Sequence, residues 1–282
     1  MTIEELFPKV QINQEDQMGE DWLTIPYEHS FLHFPKTSLT EREITLLRLM
    51  KHHTDRSSYS GNVWNRYLVQ KVGESPDKYD GVQFIYLEHP QALAPDLLEI
   101  FQGMLPQLQV IVPISDTQTA FLLALEEQLE IVKIMQDILP VLETDFGMNL
   151  TIFVGNKWSE LHHDDLQTYF TSEHQLFLEF VRHKRGENVL SFSELALWGL
   201  SRQVEMGRIP DRILELINGA KDLREIIQTM WESHGNLVQT AQKLYMHRNS
   251  LQYKLDKFRN VSGLNVKNLD DLALCYLLIL ND

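Results

Sequence analysis

The sequence predicts an α+β fold: a central α/β sandwich followed by an all-α C-terminal domain. Three observations predict it. Between residues 82 and 200, β-branched apolar runs alternate with helical patterns in the order β-α-β-β-α-β-α. Beyond residue 218 the apolar positions recur with helical spacing only. The charge divides at the same place. Seventeen basic and 33 acidic residues precede Gly219, whereas 8 basic and 7 acidic residues run from Gly219 to the end. A chain of 282 residues can bury two or three cores of ordinary size. Its 43% hydrophobic and 23% charged content excludes disorder of the whole chain.

The elements follow in order. Residues 1–20 read as a polar lead-in, and "DWLTIPYEHSFLHFP" (21–35) as one or two strands. "SLTEREITLLRLMKHH" (38–53) opens with Thr40 and Glu43 at capping-box spacing and predicts a helix. A polar loop (55–62), a helix (63–72) and a turn (73–81) complete an N-terminal region, 1–77, of no assigned type. The α/β region, 78–204, starts with a strand at 82–89 and a helix at 95–105, with Pro95 near N1. Strands at 108–115 and 119–126 flank a turn at Asp116. A helix at 130–146 is expected to kink or break at Pro140. A strand at 149–156, a helix within 159–184, and a short strand plus helix at 188–200 follow. Residues 205–218, with Gly207 and Pro210, read as a linker to the domain at 219–282.

Enzyme chemistry finds few residues to stand on. His162, His163, Asp164 and Asp165 are metal-binding types, but helical neighbours point about 100° apart and cannot easily share one ion. They are better explained as residues at a helix start, and His52 and His53 are read likewise as non-ligands. Cys275 sits in an apolar helix and reads as a buried, inert thiol that cannot form an internal disulfide. No phosphate-binding glycine loop and no Gly-x-Ser-x-Gly elbow occur. No catalytic residue, cofactor or metal is expected. The first residues lack the basic and apolar regions of a signal peptide, and the longest apolar run, 272–280, is too short to span a bilayer. A cytoplasmic protein without membrane contact is the expectation.

The tail carries the functional signal. "DLREIIQTMWESH" (222–234) places Leu223, Ile226, Ile227, Met230 and Trp231 on one stripe, with Asp222 as N-cap and Gly235 as terminator. Asn236 caps a short second helix with Leu237, Ala241 and Leu244 inside. His247 caps a third, in which Met246 and Leu251 take the hydrophobic-staple positions and Leu251, Leu255 and Phe258 form the inner stripe. Gly263 closes it. Ala241 lets two short helices approach, and Met246 plugs the turn. On charge alone, the basic stretch from Lys243 to Arg259 is equally a solvated helix face. The joint is more informative, because it turns Arg248, Asn249, Gln252, Tyr253, Lys254 and Lys257 outward. Those groups bond base edges and phosphates when a helix enters a major groove.

The runs "GN" (235–236), "TAQKL" (240–244), "HRNSLQYKL" (247–255) and "SGLNV" (262–266) resemble the helix-turn-helix domain that ends PucR/CdaR-type bacterial transcription regulators. Members typically show His-Arg-Asn-Thr-Leu followed by Arg-Tyr-Arg/Lys-Leu. The resemblance covers about the last 65 residues. It extends more weakly upstream, where such regulators often carry a degenerate GGDEF-like (cyclase-like) domain. "SFSELALWGL" (191–200) resembles the segment that closes that domain, although no GGDEF sequence is present. The chain departs from the pattern at Gln252 and Asp256, where relatives often carry basic residues, and at Tyr245, where glycine is common in related motifs.

The resemblance implies a DNA-binding transcription regulator that acts as a homodimer on double-stranded DNA. The upstream region would then sense a small-molecule effector or mediate assembly. The outward phase assigns Arg248, Asn249, Gln252 and Tyr253 to bases and Lys243, Lys254 and Lys257 to phosphates. His247 and Ser250, at the start of the same helix, complete the candidate set. Two other readings stay open: an effector-binding or protein-interaction module whose DNA binding is weak or lost, and a nucleotide-metabolising enzyme on the cyclase-like domain.

Overall fold

The computed structural model describes residues 7, 9–13, 19, 21–27, 30–44, 47, 62–124, 130–161, 165–183 and 189–282. It divides into two compact units, residues 1–63 and 64–282.

In the smaller unit, β1 (Gln11–Asn13), β2 (Trp22–Tyr27) and β3 (Ser30–Pro35) form an antiparallel sheet in the order β1-β3-β2. Leu23, Leu32, Phe34 and Leu47 make its core. The capping box is formed: Thr40 N donates to Glu43 Oε2 at 2.7 Å and Glu43 N to Thr40 Oγ1 at 3.3 Å. Residues 41–44 are helical; the rest of that expected helix, apart from 47, lies outside the described residues, as do His52 and His53.

Helix α1 (Val63–Leu68) starts at the last residue of the smaller unit and otherwise belongs to the larger one, which is built on five strands. These are β4 (Gly81–Glu88), β5 (Leu108–Ser115), β6 (Gln118–Ala124), β7 (Thr151–Ser159) and β8 (Val189–Leu190), in the order β5-β6-β4-β7-β8. All neighbours are antiparallel except β7 and β8. With α2 (Pro95–Met104) and α3 (Ile131–Phe146), the first four strands make the split β-α-β-β-α-β arrangement. Alternation along β4 explains the layers. Ile85 and Leu87 face α2 and α3 with Leu97, Phe101, Met135 and Leu139. Val82, Phe84 and Tyr86 face the other side. There they meet Phe170 and Phe177 of α4 (Asp165–His183) and share a core with α5 (Phe192–Arg202).

Two expectations need correction. The expected break at Pro140 does not occur: helix α3 runs through it, with the proline at an exposed position. Residues 205–218, expected as a linker, mostly form α6 (Ile209–Gly219). Gly207 turns the chain at φ +53°, Pro210 sits in the first turn where no N–H is needed, and Ile209, Ile213 and Ile217 are fully buried. The sheet face, α4, α5, α6 and the helical tail consequently share one continuous apolar cluster. His162, His163 and Asp164 lie outside the described residues; Asp165 begins α4.

One buried carboxyl sits in that layer. Glu173 of α4 is 0% exposed. Its Oε1 accepts from Asn156 N at 2.8 Å and Trp158 Nε1 at 2.9 Å, and its Oε2 lies 3.2 Å from the Tyr86 hydroxyl. Burial pushes its pKa up to about 8 despite these bonds.

Candidate nucleic-acid interface

Four helices make the tail: α7 (Leu223–Glu232), α8 (Leu237–Lys243), α9 (Arg248–Ser262) and α10 (Leu269–Asn281). The stripe of α7 buries Leu223, Ile226, Ile227 and Met230, while Trp231 is 40% exposed and stacks on Tyr276 at 4.7 Å. Asp222 occupies the N-cap position but caps nothing with its side chain. Gly235, at φ +74°, turns the chain left-handed so that its N–H bonds to Met230 O at 2.8 Å.

The second helix is capped as its sequence requires. Asn236 Oδ1 accepts from the N–H groups of Val238 at 3.0 Å and Gln239 at 3.1 Å. Ala241 and Thr240 are buried against the neighbouring helices. In the turn, Met246 N bonds to Ala241 O at 2.9 Å and Tyr245 takes φ +50°. Tyrosine therefore adopts the left-handed geometry that glycine usually supplies. Its side chain is 99% exposed. It is an additional solvent-facing group at the joint, outside the candidate set read from the outward phase of α9.

Helix α9 begins at the His247 cap, whose Nδ1 accepts from Asn249 N at 3.2 Å. Leu251, Leu255 and Phe258 are buried and Gly263 ends the helix at φ +78°. Arg248, Asn249, Ser250, Gln252, Tyr253 and Lys257 are exposed on one continuous outer surface, with His247 beside them. Lys254 and Lys243 are placed differently. The Lys254 amine pairs with Asp222 at 3.2 Å and donates to Lys221 O, and Lys243 lies 3.5 Å from Glu232. Asp256 is matched by Lys267 at 2.7 Å, whose hydrogen bond lowers the carboxyl pKa. The negative charge on the helix thus has a cation beside it.

Helix α10 buries Leu272, Leu274, Cys275, Leu278 and Ile279 beneath the tail, and burial raises the thiol pKa of Cys275 well above its usual value. Its other face presents Leu269, Ala273, Tyr276, Leu277 and Leu280, all at least partly exposed. Among the described residues no group of three or more His, Cys, Asp and Glu is arranged to hold a metal ion. None of the described helices is long and apolar enough to cross a membrane.

Residues 223–280 match the family of PucR C-terminal helix-turn-helix domains, which supports a transcription regulator. The chain is 39% identical over 280 residues to the "Leucine-rich protein" of Streptococcus dysgalactiae subsp. equisimilis, covering 99% of both chains. It is 25% identical over 265 residues to the uncharacterized protein YxkF of Bacillus subtilis (strain 168), covering 89% of this chain and 88% of that one. Among solved structures, the Regulator of Polyketide Synthase Expression from Bifidobacterium adolescentis matches with a TM-score of 0.35 and 16% identity, over 73% of this chain and 80% of that chain. The chain therefore belongs to one family with the streptococcal Leucine-rich protein, and it ends in a PucR C-terminal helix-turn-helix domain.

Proposed function

We propose that the protein is a cytoplasmic, sequence-specific DNA-binding transcription regulator that acts as a dimer and catalyses no reaction. The observation that carries this reading is the outer surface of α9. A helix held by a tight turn presents Arg248, Asn249, Gln252 and Tyr253 to solvent, and this donor-rich set suits base edges. Lys257 beside them suits a phosphate. Lys243 and Lys254 would exchange their intramolecular carboxylates for phosphates on binding. The dimer reading rests on the apolar stripe of α10, Leu269, Ala273, Tyr276, Leu277 and Leu280, extended by Trp231. Its spacing puts these residues on one face. Specific binding by one such motif is usually reinforced by a second half-site. The β-α-β-β-α-β order supports reading residues 78–204 as a degenerate GGDEF-like domain with a sensing or assembly role.

The test is a binding titration on DNA selected from a random pool. Arg248→Ala should lose about 1–3 kcal/mol at the selected site, and unchanged affinity would remove Arg248 from the interface. One observation favours a second reading, an effector-binding or interaction module with lost DNA binding: the charge of the first 218 residues, with 33 acids against 17 bases, repels a polyanion. Genomic footprinting without enriched sites would favour it.

A further inference from the structure

The two most exposed large hydrophobic side chains among the described residues are Tyr245, at 99%, and Tyr253, at 70%. Both lie in the stretch that carries the candidate DNA-binding groups. Tyr253 belongs to the outer surface of α9, and Tyr245 stands in the turn that precedes it. The turn residue is also strained. Five other described non-glycine residues take positive φ: Lys71, Glu160, Gln203, Asp222 and His234. Their side chains are polar and well solvated. Tyr245 alone holds a phenol ring uncovered at such a position. Glycine would adopt the same φ of +50° without steric conflict and would expose no apolar surface. The folded chain itself draws nothing from the ring. Strain of this kind points to a contact made with another molecule.

The position of the turn says which molecule. In a helix-turn-helix the second helix enters the major groove with its N-terminal residues at the base edges, while the first crosses the sugar-phosphate backbone. The turn between them therefore passes over the rim of the groove. Tyr245 precedes Arg248, at the start of α9, by three residues, which limits their separation to about 11 Å. The groove is about 12 Å wide. With Arg248 at a base edge, Tyr245 is within reach of the bounding phosphates. The surrounding charge agrees. No Asp or Glu occurs between residues 233 and 255, whereas Lys243 and Arg248 lie on either side of the turn. A phenol suits that rim: its ring can lie on the apolar face of a deoxyribose, and its O–H can donate to a phosphate oxygen in a charge-assisted bond.

We propose that Tyr245 is a DNA-backbone contact, with its ring on a deoxyribose and its hydroxyl donating to a phosphate at the rim of the groove that α9 enters. The proposal rests on the DNA-binding reading above and adds to it a residue outside the outward phase of α9. Because the phenol is neutral, it displaces no counterion. Its contribution to affinity is independent of salt, unlike that of Lys257. Because it touches backbone, it strengthens binding to every sequence by the same factor.

The test is titration of the full chain and two variants on the selected DNA and on random DNA, at several salt concentrations. Tyr245→Phe removes only the hydroxyl and should weaken binding about fivefold on both DNAs, with the salt slope unchanged. Tyr245→Gly should weaken it at least as much while Tm rises, so lost folding does not account for the loss. Wild-type protein that binds no selected DNA would overturn the regulator reading and this contact with it. Wild-type binding with equal affinity in both variants would overturn the contact alone. A loss confined to the selected sequence would place the ring on a base, and a changed sedimentation coefficient in either variant would place it on a second copy of the chain. Either result would overturn the backbone assignment.

Discussion

Replacing Glu173 by glutamine should leave the fold intact and remove much of its sensitivity to rising pH. The reason is the arrangement around the buried carboxyl. The Tyr86 hydroxyl has one proton and two neighbours, Phe170 O and Glu173 Oε2, each at 3.2 Å. A neutral Glu173 satisfies both contacts: its own O–H donates to the tyrosine oxygen, and the tyrosine donates to Phe170 O. Its Oε1 still accepts from Asn156 and Trp158. Glutamine reproduces that pattern, with an amide N–H in place of the acid proton.

The magnitude follows from the pKa values. Folded Glu173 titrates at about 8, against an ordinary value of 4.5. Between them the folded state holds a proton that the unfolded state has released. The contribution is fully present below 4.5 and is lost as pH rises towards 8. His174 acts oppositely, because burial lowers its pKa from 6.5 to about 4, so its term gains stability as pH rises across that range. The two oppose each other up to 6.5. From 6.5 to 8 only Glu173 of this pair still titrates. At about 1.4 kcal/mol per pH unit, that interval costs the wild type about 2 kcal/mol. Urea unfolding of both proteins across the interval measures it. Parallel pH profiles for wild type and Glu173→Gln would refute the buried neutral acid. So would a large loss of stability in the variant at pH 6.5, because it would show that the negative charge is needed.

Three further outcomes follow from the tail. Tyr245→Gly should raise stability by about 0.5–1 kcal/mol, because the left-handed cost of about 1–2 kcal/mol is relieved and part returns as glycine entropy. The fully exposed ring has no packing to lose, and a lowered Tm would show that the turn is unstrained. Lys257→Ala should weaken binding to all DNA sequences alike and reduce the salt slope by about one, as read from titrations at several salt concentrations. Leu277→Glu with Leu280→Glu should convert a dimer to a monomer in sedimentation without unfolding the tail, since both side chains face solvent in the single chain.

Local chemistry was legible in the sequence. Asn236 and His247 cap their helices, Gly235 and Gly263 take left-handed φ, and Thr40 and Glu43 form their box. Each of these depends on a few neighbouring residues. So do the apolar runs that made β4 to β7 recognisable, and the stripe that buries α7. The misreading of residues 205–218 shows the limit of such signals. Gly207 and Pro210 are punctuation in either case, and only the isoleucine stripe at 209, 213 and 217 distinguishes a helix from a linker. That stripe matters because α4, α5 and the tail offer it an apolar surface.

Long-range placement was decided by the tertiary structure alone. The sequence identified Lys243 and Lys254 as basic, but carboxylates 11 and 32 residues earlier determine where their amines rest. It placed Asp256 on the DNA-facing helix without showing Lys267 beside it. A sequence read alone exposes what the backbone does over one or two turns of helix. The charge and burial of a site depend on segments that meet only after the chain has folded.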